Sequence, residues 1–404
     1  MESKGRLWNS NYLRMLFGNF SIFFSFWLLT PLLPIYLSDE FGANKETIGI
    51  VLSGYSVAAL ISRAISGYIV DSFPRKTILI IGFVAFSLFF GGYIIAGSLL
   101  LFAVVRTLHG IPLGMTTVAN NTVAVDVLPP LRRTEGIGYY GLSNNVATAI
   151  SPTFALWIYG FSQNYDVLFG LATAVALCGL IVVAGVKVPE YKHNEKREPL
   201  TFGKLFLVKG WSQSLCLIGY AFSYGVVATY VAIYGKEELG ITGGTGLFFM
   251  LFSIGLILSR LVGSRTLRLG RVRFNAGIGS CIAMLGYLIF AAFHNKFGYF
   301  GSALVIGLGN GYMYPSFQSM LIEQAPVKMY GTANSTLLVS WDIGLGLGIL
   351  IGGAIAEAFG YFSAFWVAGL VNVAGVLFFF LYSGNAYQKH RYLQPYDNKS
   401  LTPK

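Results

Sequence analysis

Arg75-Lys-Thr-Ile-Leu-Ile-Ile-Gly-Phe-Val-Ala-Phe-Ser-Leu-Phe-Phe-Gly-Gly-Tyr-Ile-Ile-Ala96 opens on two cations and then runs for twenty residues without a charge. A helix rises about 1.5 Å per residue, so about 20 apolar residues cross the roughly 30 Å hydrocarbon core of a bilayer. Stretches of this kind recur twelve times, beginning near Leu13, Ile48, Thr77, Leu99, Ile137, Val167, Leu205, Thr245, Phe274, Tyr299, Thr332 and Phe362. They leave no room for a soluble domain of any size. Composition agrees, with 55% hydrophobic and only 11% charged residues and a mean hydropathy of +0.64.

Positive charge collects in cytoplasmic loops of membrane proteins. With the amino terminus inside, Lys45, Lys236 and Lys296 fall in outward loops and Arg63, Arg106 and Arg260 within spans; every other one of the 28 Lys and Arg lies on the cytoplasmic side. The net charge of +11 is therefore a topogenic signal. It is not a nucleic-acid patch, because the cations sit in separate loops beside membrane helices. The first apolar stretch is too long for a cleavable signal and lacks a small-residue cleavage site, so it is expected to stay as a span. Cys178, Cys216 and Cys281 all lie in apolar stretches, which points to small hydrophobes rather than disulfides or metal ligands.

Residues of the same kind recur at an offset of 197. Ser62-Arg63 returns as Ser259-Arg260, Gly110 and Gly114 as Gly307 and Gly311, Asp126 as Glu323, Pro129 as Pro326, and Asn145 as Asp342. Six stretches per half is an even number, so both halves enter the membrane in the same direction. This predicts an all-α membrane protein of twelve transmembrane helices, arranged as two parallel six-helix bundles with a site between them that opens alternately to either side. The boundaries read as 1–188 and 205–385 for the bundles, 189–204 for a basic cytoplasmic linker and 386–404 for a cytoplasmic tail.

The loop Gly67-Tyr-Ile-Val-Asp71-Ser-Phe-Pro-Arg75-Lys76 resembles the signature loop of the major facilitator superfamily, with Ser72 and Pro74 replacing the usual arginine and glycine. Arg106 followed by Gly110 and Gly114 resembles the family's fourth-helix pattern, and Asp126 to Arg133 its next cytoplasmic loop. The resemblance implies the major facilitator fold, a monomer, and a cytoplasmic gate of Gly67, Asp71, Arg75, Lys76, Asp126 and Arg133. Ion pairs at a wet interface suit a gate that breaks in every cycle.

Asp342 lies about ten residues, or roughly 15 Å, from the cytoplasmic start of its helix. It is the deepest acid in the chain. An intramembrane carboxylate is costly unless paired, hydrated or protonated. Two roles fit: proton coupling, or a structural partner for an arginine or the turn at Gly344, Gly346 and Gly348. Arg106 stays charged when buried and needs a carboxylate, a carbonyl or an anionic substrate; the resemblance implies proton transfer or binding near the cavity. His109, nearly one turn on, is a relay candidate or a satisfied core histidine. Arg63 and Arg260 lie nearer the helix ends, where their side chains are expected to snorkel to headgroups.

In the superfamily the helices rich here in aromatic residues line the cavity. The resemblance thus implies a lining that includes Asn19, Phe23, Trp27, Asn120, Asn121, Asn145, Tyr220, Tyr224, Tyr312, Tyr314 and Gln318, suited to small amphipathic solutes. No Gly-Lys-Ser or Gly-Lys-Thr phosphate loop occurs, so a proton gradient rather than ATP or a cofactor is the expected energy source. The in-span groups form no set that would serve an enzyme. Gly138, Gly141 and Ser151-Pro152 are a degenerate form of the family's antiporter mark. The expected function is proton-coupled export by secondary active transport in a bacterial inner membrane, resembling the drug:proton antiporter branch. A proton symporter importing a metabolite is the alternative, and a passive channel or receptor comes after it.

Overall fold

The structure, a computed structural model, describes residues 6–30, 32–43, 45–188, 201–241, 244–269 and 271–390. Most of the expected linker, including Lys192, and the tail from 391 onward lie outside the described residues, as does the side chain of Arg260.

Among the described residues the regular structure is helical, with no strand. The first half carries α1 (Ser10–Leu29), the short α2 (Leu33–Phe41), α3 (Lys45–Ser72), α4 (Arg75–Ile94), α5 (Leu99–Asp126), α6 (Arg133–Ser162) and α7 (Tyr165–Ala184). A single turn, α8 (Phe202–Leu205), precedes α9 (Trp211–Glu237), α10 (Gly244–Arg268), α11 (Val272–Ala292), α12 (Lys296–Glu323), α13 (Tyr330–Phe378) and α14 (Gly384–His390). Within the first half α3 packs on α5, α4 on α5 and α7, and α1 on α6 and α7; in the second, α9 packs on α13, α10 on α12, and α11 on α12 and α13. The halves meet where α3 crosses α13 and α6 crosses α10 and α12.

Eight helical segments among the described residues are long and apolar enough to cross a membrane. One of them, Val327–Lys389, has 63 residues and is broken at Gly360, whose φ of 80° and ψ of 164° suit only glycine. The long helices α6 and α12 interleave more polar residues and fall outside those eight, and α10 carries the shorter apolar stretch Gly246–Ser259. Large apolar side chains such as Leu88, Ile181, Leu370 and Leu381 stand exposed on the outside, as expected of a surface that meets lipid.

The offset of 197 is written into the backbone. Helix α5 begins at Leu99 and ends at Asp126, and α12 begins at Lys296 and ends at Glu323. Ser98 and Asn295, the matching caps, accept hydrogen bonds from the backbone N–H of Leu101 and Gly298. Pro129 and Pro326 then end each helix ahead of matching 3₁₀ turns, Pro130–Arg132 and Val327–Met329. The close crossings repeat as well. A Cβ on Gly110 would strike the Tyr55 carbonyl oxygen of α3, and one on Gly307 the Phe252 carbonyl oxygen of α10. Small residues at these points let the helix backbones touch.

Candidate gate and coupling site

Asp71, on the last turn of α3, reaches across to the other half. Its Oδ1 accepts from the Gly331 backbone N–H (2.8 Å), and its Oδ2 from the Thr332 N–H (2.7 Å) and hydroxyl (2.8 Å). The first N–H groups of a helix have no partner inside it and carry its positive dipole end, so a carboxylate from the other bundle caps α13. Gly67, one turn earlier, permits this approach: a Cβ there would sit 2.9 Å from the Thr332 Cα and 3.0 Å from the Gly331 oxygen.

Arg75 joins this cap to a second acid. Its Nη1 donates to both oxygens of Asp126 (2.7 and 2.9 Å), and its Nη2 to the Val327 carbonyl of the other half (2.6 Å) and to Asp71 (3.3 Å). Arg133 donates to the Tyr330 hydroxyl at 2.8 Å. These two residues are 197 apart, so each is the other's repeat mate. Repeat mates touch only where the twofold axis relating the halves passes between them. Five of the six expected gate residues are thus brought together; Lys76 is half-buried, and no hydrogen bond or ion pair described joins it to them.

Deeper along the same crossing, Arg63 of α3 donates from Nη1 to Oδ2 of Asp342 on α13. This corrects the expectation that Arg63 snorkels to headgroups. Its guanidinium points inward, because Asp342 is the acid within reach in a medium where an unpaired charge is costly. The Arg63 and Asp342 side chains keep 12% and 22% of their surface, so the carboxylate is the more accessible partner. One turn from Arg63, the Ser335 hydroxyl donates to the Arg63 carbonyl oxygen, and Asn334 of α13 donates to the Thr122 hydroxyl of α5 (3.4 Å). The cross-bundle hydrogen bonds described all lie from Asp342 toward the end that carries the basic loops; that end is closed. A recess of about 90 Å³ beside Arg133, Glu323 and Tyr330 is large enough only for a few waters.

Arg106 and His109 lie elsewhere, inside the first bundle. The Arg106 Nη1 donates to the Tyr93 hydroxyl (3.1 Å), its Cζ lies 3.9 Å from the Tyr55 ring centre, and Tyr93 and His109 Nδ1 are 2.7 Å apart. Phe86, Phe89 and Phe90 complete a cage around the imidazole. The structure therefore does not join His109 to Asp342.

The residues expected to line a cavity divide. Phe23, Trp27, Asn121, Asn145, Tyr224, Tyr312 and Tyr314 are half-buried, with Tyr224 and Tyr314 against Trp341. Asn19 and Asn120 are buried and bonded within their own bundle, to each other, Ser143 and Tyr140. Tyr220 is buried against Phe317, and Gln318 donates to Asn334 (3.0 Å). Arg63, Tyr330 and Thr332 belong to the site and were missed by sequence reasoning. The signal that would have found Arg63 is charge balance, since three in-span arginines face a single deep acid.

The Major Facilitator Superfamily model matches residues 15–349 and 214–401. The chain belongs to this superfamily. It is a multi-pass membrane protein of the transporter type. The staphylopine export protein of Staphylococcus aureus is 23% identical over 380 residues, covering 88% of this chain and 91% of the relative. A Na(+), Li(+), K(+)/H(+) antiporter of Planococcus maritimus is 30% identical over 181 residues, 43% of this chain and 42% of the relative. Two solved structures share the fold over 92% of this chain and 99% of their own: the human organic anion transporter MFSD10 (TM-score 0.80, 15% identity) and FucP in the outward conformation (TM-score 0.79, 17% identity).

Proposed function

We propose that this chain is a proton-coupled secondary transporter that crosses a bacterial inner membrane twelve times and exports small amphipathic molecules by alternating access. Both termini are cytoplasmic, the working unit is a monomer, and the proton gradient supplies the energy without a cofactor. The observation that carries this reading is the Arg63–Asp342 ion pair, an in-span carboxylate that binds one bundle to the other. Closure at the basic end corresponds to an outward-facing state. A proton arriving from outside neutralises Asp342, removes the attraction to Arg63 and loosens the crossing of α3 and α13. The cap of Asp71 on α13 and the Arg75 bond to Val327 then separate, and the basic end opens to the cytoplasm. Proton loss there restores the carboxylate, and re-pairing with Arg63 closes the end behind a loaded solute.

Similarity to an export protein and to a proton-exchanging antiporter supports this direction. Symport into the cell is the second reading. Protonation of Asp342 releases Arg63, and a free guanidinium would load an anionic solute together with the proton. Inside-out vesicles with an acidified lumen and a pH dye separate the two. Addition of a transported amphiphile should release protons from the lumen, and Asp342→Asn should abolish the signal. Unchanged coupled flux in Asp342→Asn would sink the coupling role, and uptake confined to right-side-out vesicles would reverse the direction.

A further inference from the structure

The Arg106 cluster is not explained by the fold. Arg106 is 4% exposed, and its Nε has no hydrogen-bond partner among the described residues; nor does the buried Tyr55 hydroxyl beside it. An arginine cannot shed its charge, and one ring face and one tyrosine oxygen satisfy it only in part. Architecture alone does not call for these groups, because the repeat supplies its own control. At the offset of 197, Tyr55, Tyr93, Arg106 and His109 correspond to Phe252, Phe290, Ala303 and Ile306. The second bundle makes the corresponding crossing of α10 and α12 with hydrocarbon side chains at all four of these positions, and Phe290, Ala303 and Ile306 are buried there. The polar groups are peculiar to the first half.

We infer that the Arg106 cluster is the receptor for a carboxylate on the transported solute, so that the cargo is an amphipathic organic anion. A carboxylate supplies the missing charge and accepts from the Arg106 Nε and the Tyr55 hydroxyl, two donors that have no partner around this one cation. The way in passes Phe26, half-buried on α1 and stacked on Tyr55 at 5.4 Å with an interplanar angle of 17°. Trp27 is half-buried beside it. Rotation of the Phe26 and Tyr55 rings uncovers the guanidinium and offers aromatic walls to the apolar part of the solute. This assignment rests on the reading of the chain as an exporter of amphipathic molecules and names their charge.

The test is equilibrium binding of radiolabelled benzoate to the purified full-length protein in detergent, by scintillation proximity at fixed pH with no gradient. Saturable binding is expected that unlabelled benzoate competes and the neutral benzamide does not. Arg106→Gln should remove it. Tyr55→Phe keeps the ring and deletes only a hydroxyl that has no partner among the described residues, so it should fold normally and weaken benzoate by about tenfold. Equal competition by benzamide, or full-strength binding in both variants, overturns the proposal. Displacement by chloride at concentrations equal to benzoate also overturns it, in favour of a resident counter-ion. No proton movement enters this measurement, so its failure leaves the coupling role of Asp342 standing, and failure of coupled flux leaves the anion site standing.

Discussion

Replacing Asp71 with asparagine removes the charge that caps α13 from the opposite bundle while leaving the side chain nearly the same size. Asp71 accepts three hydrogen bonds from the second bundle and one from Arg75. Asparagine offers one oxygen and turns an NH₂ group toward N–H donors, so about half of these bonds are lost and one side meets donor against donor. A hydrogen bond to a charged acceptor contributes about 1.5–3 kcal/mol, and the Asp71 side chain is only 10% exposed. The closed form of the basic end should lose about 3 kcal/mol, on the order of 10²-fold in the ratio of closed to open molecules. The assay is a spin-label distance across that end, between Thr77→Cys and Lys328→Cys, with Cys178, Cys216 and Cys281 replaced. A shift of population to longer distances is expected, with slowed transport and retained solute binding. A distribution identical to that of the parent would show that the trans cap does not hold the gate.

Arg63→Ala strips Asp342 of its partner. Both groups keep some solvent contact, so the cost should be about 1–3 kcal/mol, below the roughly 3–5 kcal/mol of a fully buried pair. Adding Asp342→Asn should recover part of it, and unfolding in mixed micelles would reveal strict additivity if the pair contributes nothing. Gly110→Ala drives a methyl into the Tyr55 carbonyl oxygen and should destabilise by about 1–3 kcal/mol, whereas Gly97→Ala meets open space and should stay within about 0.5 kcal/mol. Equal melting of the two variants would refute the close crossing. Gly360→Ala forces a side chain into a conformation reserved for glycine at the break in α13, at about 1–3 kcal/mol, which lowered thermal stability and yield would report.

Much of this molecule is legible from its sequence because the bilayer narrows the choices. The apolar runs gave the helices, and the 197-residue register paired α5 with α12, whose caps the structure then shows at the same offset. The loop from Gly67 to Lys76 suggested a gate through its resemblance to the family's signature loop, and its glycine and carboxylate meet α13 in a close crossing and a trans cap. What stayed hidden depends on which way a helix face turns. Arg63 sits at a depth compatible with either headgroups or Asp342, and only the crossing of α3 and α13 decides between them. Asn19 and Asn120 look like lining residues until the packing of α1, α5 and α6 turns them toward one another. Composition also misleads at α6 and α12, where polar residues lower the hydropathy of helices as long as their neighbours. The separate stretch expected to begin near Phe362 starts at the break at Gly360, although glycine is too frequent in the chain for that residue to stand out.

Coupling through the Arg63–Asp342 pair is tested most directly by the same spin-label distance, followed as pH is lowered in the parent and in Asp342→Asn. Asp71 belongs to the closed end too, so the variant decides which carboxylate answers the proton. Acidification should move the parent from short to long distances, while Asp342→Asn should favour long distances at every pH. A parent distribution indifferent to pH, or a variant that keeps the parent's response, would contradict a proton-driven gate at Asp342.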